Sequence, residues 1–116
     1  MSILLKEEHK IIQQTAKEFA INVIAPFVKK NDEGKIFPRE AIKKAGELGF
    51  MGMLVPAEYG GSDADEISYC LVLEEIAYAC ASTSVIMSVN NMVCWAINEY
   101  GNSEQKKKIF TRFSKW

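Results

Sequence analysis

The longest uncharged run of the chain, Ile76 to Asn98, limits its possible folds more than any other feature. Its twenty-three residues are about the length needed to cross a bilayer, so the run belongs either in lipid or inside protein. Ser82, Thr83, Ser84, Ser88, Asn90, Asn91 and Asn98 argue for protein, because polar groups in hydrocarbon cost free energy and the Asn pair would sit near mid-span. The expectation is a helix enclosed by protein on most sides, not a membrane span. The wider surroundings are acidic: no Lys or Arg occurs between Lys44 and Lys106, while Glu58, Asp63, Asp65, Glu66, Glu74, Glu75 and Glu99 lie there.

Total charge says less than its distribution. Lys+Arg 14 against Asp+Glu 15 gives a net charge of −1, without the basic excess of a dedicated nucleic-acid binder. With 116 residues the chain is one domain, large enough to bury roughly two-thirds of the surface its unfolded form exposes. Cys70, Cys80 and Cys94 form an odd set without CxxC spacing, so neither a zinc site nor a disulfide framework is expected, and they read as small core residues. The opening MSILLKEEHK turns to charged helix formers within five residues, too soon for a signal peptide, and no Arg-rich transit segment follows. A cytoplasmic, reducing location is expected.

Ile12, Ala16, Phe19, Val23 and Phe27 recur at spacings of three and four, which predicts an amphipathic helix from Lys6 to about Val28, kinked or restarted at Pro26. Asn31 to Gly34 reads as a turn, and Pro38 as the first turn of a short helix through Ala45. Residues 46–64 hold five of the seven glycines and are expected to be irregular, packed by Phe50, Met51, Met53, Leu54 and Val55. A second long helix should start near Asp63 to Asp65 and run to Ala79, with Ile67, Leu71, Leu73, Ile76 and Ala77 as its apolar set. The Ala-Ser-Thr-Ser cluster at 81–84 then reads as a break. A further helix is expected from Thr83 to Tyr100, ended by a left-handed Gly101, before a basic terminal helix capped by Ser103. No run reads as a strand, so the fold class is all-α, an antiparallel helical bundle.

Few residues look chemical. His9, the only histidine, sits among Glu7, Glu8 and Lys10 without a metal-site partner and reads as a solvated helix residue. Glu74 and Glu75 are adjacent and diverge by about 100 degrees on a helix, so they cannot both address one substrate atom. One is expected in solvent and the other paired with a buried N–H or a cation. No GxGxxG or GxxxxGK[ST] is present, and the basic run Lys106-Lys107-Lys108 with Arg112 and Lys115 reads as a solvated face.

Longer patterns carry a resemblance. LLKEEHKIIQQTAKEFAINVIAP at 4–26, FPREAIKKAGEL at 37–48, VPAEYGG at 55–61 and LEEIA at 73–77 resemble, in order and spacing, the amino-terminal helical domain of an acyl-CoA dehydrogenase. CASTSVIMSVNN at 80–91 is similar to the short-chain or butyryl-CoA branch, and YGNSEQKKK at 100–108 resembles the helix that ends the domain. The last four residues, Phe113 to Trp116, depart from the small residues usual at that junction.

The resemblance implies a flavoenzyme that removes the α and β hydrogens of an acyl-CoA, with FAD as hydride acceptor and electron-transferring flavoprotein as partner. It places the catalytic glutamate and most flavin contacts in a middle β domain and a carboxy-terminal helical domain that residues 1–116 lack. The chain alone is then expected to be non-catalytic and to bind no FAD, with no catalytic or metal residue of its own. What the resemblance carries over is one wall of the acyl pocket, at Ile86, Met87, Val89, Asn90 and Val93. A homo-oligomer, or a partner chain with the missing domains, is expected to cover the apolar surface left open. The other reading is a free-standing helical interaction module.

Overall fold

The structure, a computed structural model, describes residues 4–113. Ser114, Lys115 and Trp116, at the expected domain junction, lie outside the described residues, as do Met1, Ser2 and Ile3 of the opening segment. Among those described the chain forms an all-α bundle of α1 (Glu7–Phe19), α2 (Val28–Gly34), α3 (Arg39–Glu47), α4 (Glu66–Ala79), α5 (Ala81–Tyr100) and α6 (Ser103–Phe113). None of these helices is long and apolar enough to cross a membrane.

The apolar stripe of α1 buries Ala16 and Phe19, with Ile12 packed beside them. Pro26 acts through its missing N–H and its clash with the preceding turn. The helix widens into a π-helical turn at Ala20–Ile24, tightens to a 3-10 turn at Ala25–Phe27, and resumes as α2. That change of pitch carries Phe27 off the buried stripe and leaves it exposed. Residues 31–34, expected as a turn, are the last turn of α2. The chain reverses at Lys35, whose left-handed φ of 51° lets its own N–H reach the Asp32 carbonyl and the Ile36 N–H reach that of Asn31.

Helix α3 contributes Ala41, Ile42 and Ala45 to the core, which the following loop extends with Phe50, Met51 and Met53. Phe19 meets Phe50 edge to face, with ring centroids 5.9 Å apart. The loop folds on itself through the N–H groups of Ser62, Asp63 and Ala64, which donate to the carbonyls of Gly52, Val55 and Met53. Gly61 passes so close that a Cβ there would collide with the Val55 carbonyl, while Gly60 turns with φ 84°.

Helix α4 points Ser68, Val72 and Ile76 inward. Each of the two buried aliphatics contributes roughly 1.5–3 kcal/mol of apolar burial. Ile67 and Ala77, expected inside, are exposed, because α4 is apolar almost all round and its rotation is set by contacts its own pattern does not contain. One extended residue, Cys80, separates α4 from α5, so the cluster at 81–84 is the first turn of α5 instead of a break. Gly101 is extended rather than left-handed, and a side chain there would press on the Ile97 carbonyl. Asn102, not Ser103, caps α6: its Oδ1 accepts from the Gln105 N–H and its own N–H donates to Gln105 Oε1, a reciprocal box. A second small cluster of Val55, Cys94 and Phe110, with Tyr59 and Ile97, docks α6 against the loop.

Candidate functional site

Helix α5 is the uncharged run seen in three dimensions, and its faces differ sharply. Thr83, Met87, Asn91 and Cys94 form the buried side. Opposite them Val85, Val89 and Met92 are 58%, 48% and 59% exposed, and Val93 beside them is 42% exposed. Ile86 and Asn90 lie between, half-buried, with Ile86 against the core. Of the five residues named as an acyl wall, Val89 and Val93 therefore stand open, Ile86 and Asn90 line the flank, and Met87 is packed in the core.

The two asparagines explain how a polar pair sits in an apolar helix. Asn91, 1% exposed, accepts from the Met53 N–H at 2.8 Å and donates from Nδ2 to the carbonyls of Phe50 and Met87, each at 2.9 Å. Asn90 Nδ2 donates to the Met51 carbonyl at 2.6 Å. Both side chains thus satisfy loop backbone that would otherwise be buried without partners. They also fix the rotation of α5, and with it the stripe that faces out. The -Asn-Asn- pair was visible in the sequence, but its partners at 50–53 lie about forty residues away and carry no local signal.

A second constellation joins the beginnings of α1 and α4. His9 is buried, 2% exposed, and not a solvated residue as expected. Its Nδ1 accepts from the Lys6 N–H at 3.2 Å and its Nε2 lies 2.7 Å from Asp65 Oδ2. The backbone N–H fixes the tautomer: Nδ1 must be bare, so Nε2 carries the proton and donates to Asp65. Asp65 in turn caps α4, its Oδ1 accepting from the Ser68 N–H. The hydrogen bond from His9, then those from Ser68, hold the Asp65 carboxyl well below the usual carboxylate range.

Glu8, His9 and Asp65 bring donor atoms within 4.8 Å of one another, yet they do not fit a cation. A metal on Nε2 would move the proton to Nδ1, against the Lys6 N–H, and two positive helix N-termini converge there. The remaining titratable groups are unremarkable as catalysts. Glu74 is exposed, as expected for one of the two, and Glu75 accepts from the part-buried side-chain amide of Gln13 at 3.4 Å, neither a buried N–H nor a cation. Burial raises the Tyr69 hydroxyl and the Cys94 thiol. At Cys80 burial raises the thiol, but hydrogen bonds from Ser82 and Thr83 outweigh it and lower it. Only Cys94 is a core cysteine; Cys70 is exposed and Cys80 half-buried.

Two hollows open among the described residues. A cavity of about 70 Å³ under the glycine-rich loop, floored by Cys94 and Phe110, is too small for an acyl chain. A groove of about 1130 Å³ runs between Phe27, Ile36, Phe37, Tyr78 and Thr83. Among the described residues every buried side-chain polar atom already has a partner, and the close approaches of Gly49 and Gly61 are to the chain's own Ser62 and Val55.

This architecture has known counterparts. Residues 6–115 match the family model described as acyl-CoA dehydrogenase, N-terminal domain, and the chain belongs to that family. It is 41% identical over 114 residues to the short-chain specific acyl-CoA dehydrogenase, mitochondrial, of Rattus norvegicus, covering 97% of this chain and 28% of the rat protein. Against the short-chain specific acyl-CoA dehydrogenase of Clostridium acetobutylicum it is 38% identical over 116 residues, covering 99% of this chain and 31% of the other. The solved butyryl-CoA dehydrogenase of Megasphaera elsdenii superposes with a TM-score of 0.89 at 28% identity, over 99% of this chain and 31% of that one. The chain thus spans less than a third of the length of these relatives.

Proposed function

We propose that residues 1–116 act as the amino-terminal helical domain of a flavin-dependent dehydrogenase that oxidises short-chain acyl-CoA to the 2,3-enoyl-CoA. The family match over residues 6–115 carries this reading. The names of the rat and Clostridium relatives support the short-chain assignment. In this reading the catalytic base, the FAD site and the contact with electron-transferring flavoprotein depend on polypeptide beyond the matched segment, and the 116 residues alone do not turn over.

The part we assign to this chain is one wall of the acyl site, formed by Val89 and Val93 with Ile86 and Asn90 at its edge and Met87 as its inner support. Apolar side chains there remove water from an acyl chain at no electrostatic cost. The test places this chain in the Clostridium acetobutylicum enzyme in exchange for the segment it matches. Val89→Trp in that chimera should lower kcat/KM for butyryl-CoA roughly tenfold, mainly through KM. Ile11→Trp, on the exposed side of α1, should leave it unchanged. Equal kcat/KM for the Val89→Trp and parent chimeras would remove Val89 from the wall.

A further inference from the structure

We infer that the groove between α2, the start of α3 and the α4–α5 junction binds a fatty carboxylate, a molecule with one negative head and a long apolar tail. This goes beyond the acyl-wall reading and shares no residue with that wall. The groove, of about 1130 Å³, is ample for a single ligand, for which roughly 300–1,000 Å³ suffices. Two backbone irregularities build it. The 3-10 turn that follows the π-helical turn puts Phe27 on its wall, 52% exposed, and the left-handed Lys35 brings Ile36 and Phe37 there, 48% and 52% exposed. Tyr78, 93% exposed, adds the end of α4. Four large side chains from three separate segments thus line one hollow instead of packing inward.

Charge on the same groove selects the head. Lys29, Lys35 and Arg39 line it, and none of them makes an ion pair among the described residues. Arg39 is held against the apolar wall, its guanidinium carbon 5.7 Å from the centre of the Phe37 ring. Asp32 and Glu40 line the groove as well, and Glu40 lies in the first turn of α3, where the positive helix end attracts it. The excess is therefore one positive charge beside aromatic surface. It matches one carboxylate, which a guanidinium can hold through two parallel hydrogen bonds. A nucleotide or coenzyme A would bring several negative charges past Asp32 and Glu40. A peptide would bring backbone groups that need partners, and the described residues form no strand whose edge could pair them. An alkyl tail needs none, and Phe27, Ile36, Phe37 and Tyr78 take it out of water.

Isothermal titration of the purified chain with dodecanoate, below its micelle concentration, tests this directly. The expected result is saturable binding at one site, which Arg39→Glu weakens about tenfold and Tyr78→Asp about fivefold or more. Decanoate should bind about fivefold or more weaker than dodecanoate, since each buried methylene adds affinity. Dodecyltrimethylammonium, with the same tail and the opposite head charge, should bind about tenfold weaker or less. Arg39 and Tyr78 are exposed, and an unchanged circular dichroism spectrum shows that either variant keeps the fold. Met92→Glu, on the outer face of α5, should change nothing. Absence of saturable binding overturns the inference, as does binding that survives Arg39→Glu, that dodecyltrimethylammonium equals or that Met92→Glu removes. In the chimera loaded with FAD, dodecanoate binding that is absent or indifferent to Arg39→Glu means that other polypeptide fills the groove, and that too overturns it. Such failure leaves the acyl-wall reading standing, because that is read from the kinetics of Val89→Trp.

Discussion

His9 holds two helix beginnings with one ring, because a bare Nδ1 takes the Lys6 N–H of α1 while a protonated Nε2 reaches the Asp65 cap of α4. His9→Ala removes a buried ring together with both hydrogen bonds and should cost about 2–3 kcal/mol in urea unfolding. Asp65 gives the junction a pH signature. A carboxyl held low in the folded state binds fewer protons there than in the unfolded chain, so its contribution is complete above the unfolded value of about 3.9. It is lost as pH falls from there through the folded value. Asp65→Asn keeps a capping side chain but cannot titrate, so the stability gap to wild type should be constant above about pH 5 and close progressively below pH 4. A gap that stays open at low pH would assign the effect to something other than this carboxylate. Asn91→Ala strands the Met53 N–H and the Phe50 carbonyl in the core and should cost about 3 kcal/mol, with faster hydrogen exchange at the Met53 amide as its local mark. Sequence could supply the residue types in both cases but not the partners. His9 reads as solvated among charged neighbours because its hydrogen-bond partner Asp65 lies fifty-six positions away.

At the scale of elements, legibility follows how local the determinant is. The first helix, the position of Pro26 and the Asp65 start of α4 are written in neighbouring residues, and so is the glycine-rich loop whose Phe50, Met51, Met53 and Val55 are buried. The rotation of α4 was not legible, because a helix apolar on nearly all sides has no preferred face until Asp65, Val72 and Ile76 find their partners. The turn read at Asn31 to Gly34 was misplaced for a related reason: those residues are helical, and the left-handed conformation falls after them on Lys35. That conformation disfavours any residue with a Cβ, so Lys35→Gly should raise stability by about 0.5–1 kcal/mol in thermal unfolding. A loss of stability would mean that the Lys35 side chain, exposed though it is, contributes more than its backbone costs. The residues proposed as an acyl wall were legible as one helix, and they were not sorted by face until Asn90 and Asn91 showed which side of α5 is tied to the loop.

For the whole molecule, the uncharged run that suggests a membrane helix becomes a helix with one side in the core and one side open, and the open side is where its function is assigned. The family match over residues 6–115 supports the proposal made above, and the chain spans less than a third of the length of its relatives. Exposed Val85, Val89, Met92 and Val93 are the surface open to be covered, whether by substrate, by further polypeptide or by a second copy. The most direct measurement is turnover of butyryl-CoA by the Clostridium acetobutylicum enzyme carrying this chain in exchange for its matching segment, followed with an artificial electron acceptor. The account predicts kcat/KM within about tenfold of the parent enzyme. A chimera that folds and takes up FAD like the parent, yet does not turn butyryl-CoA over, would contradict it.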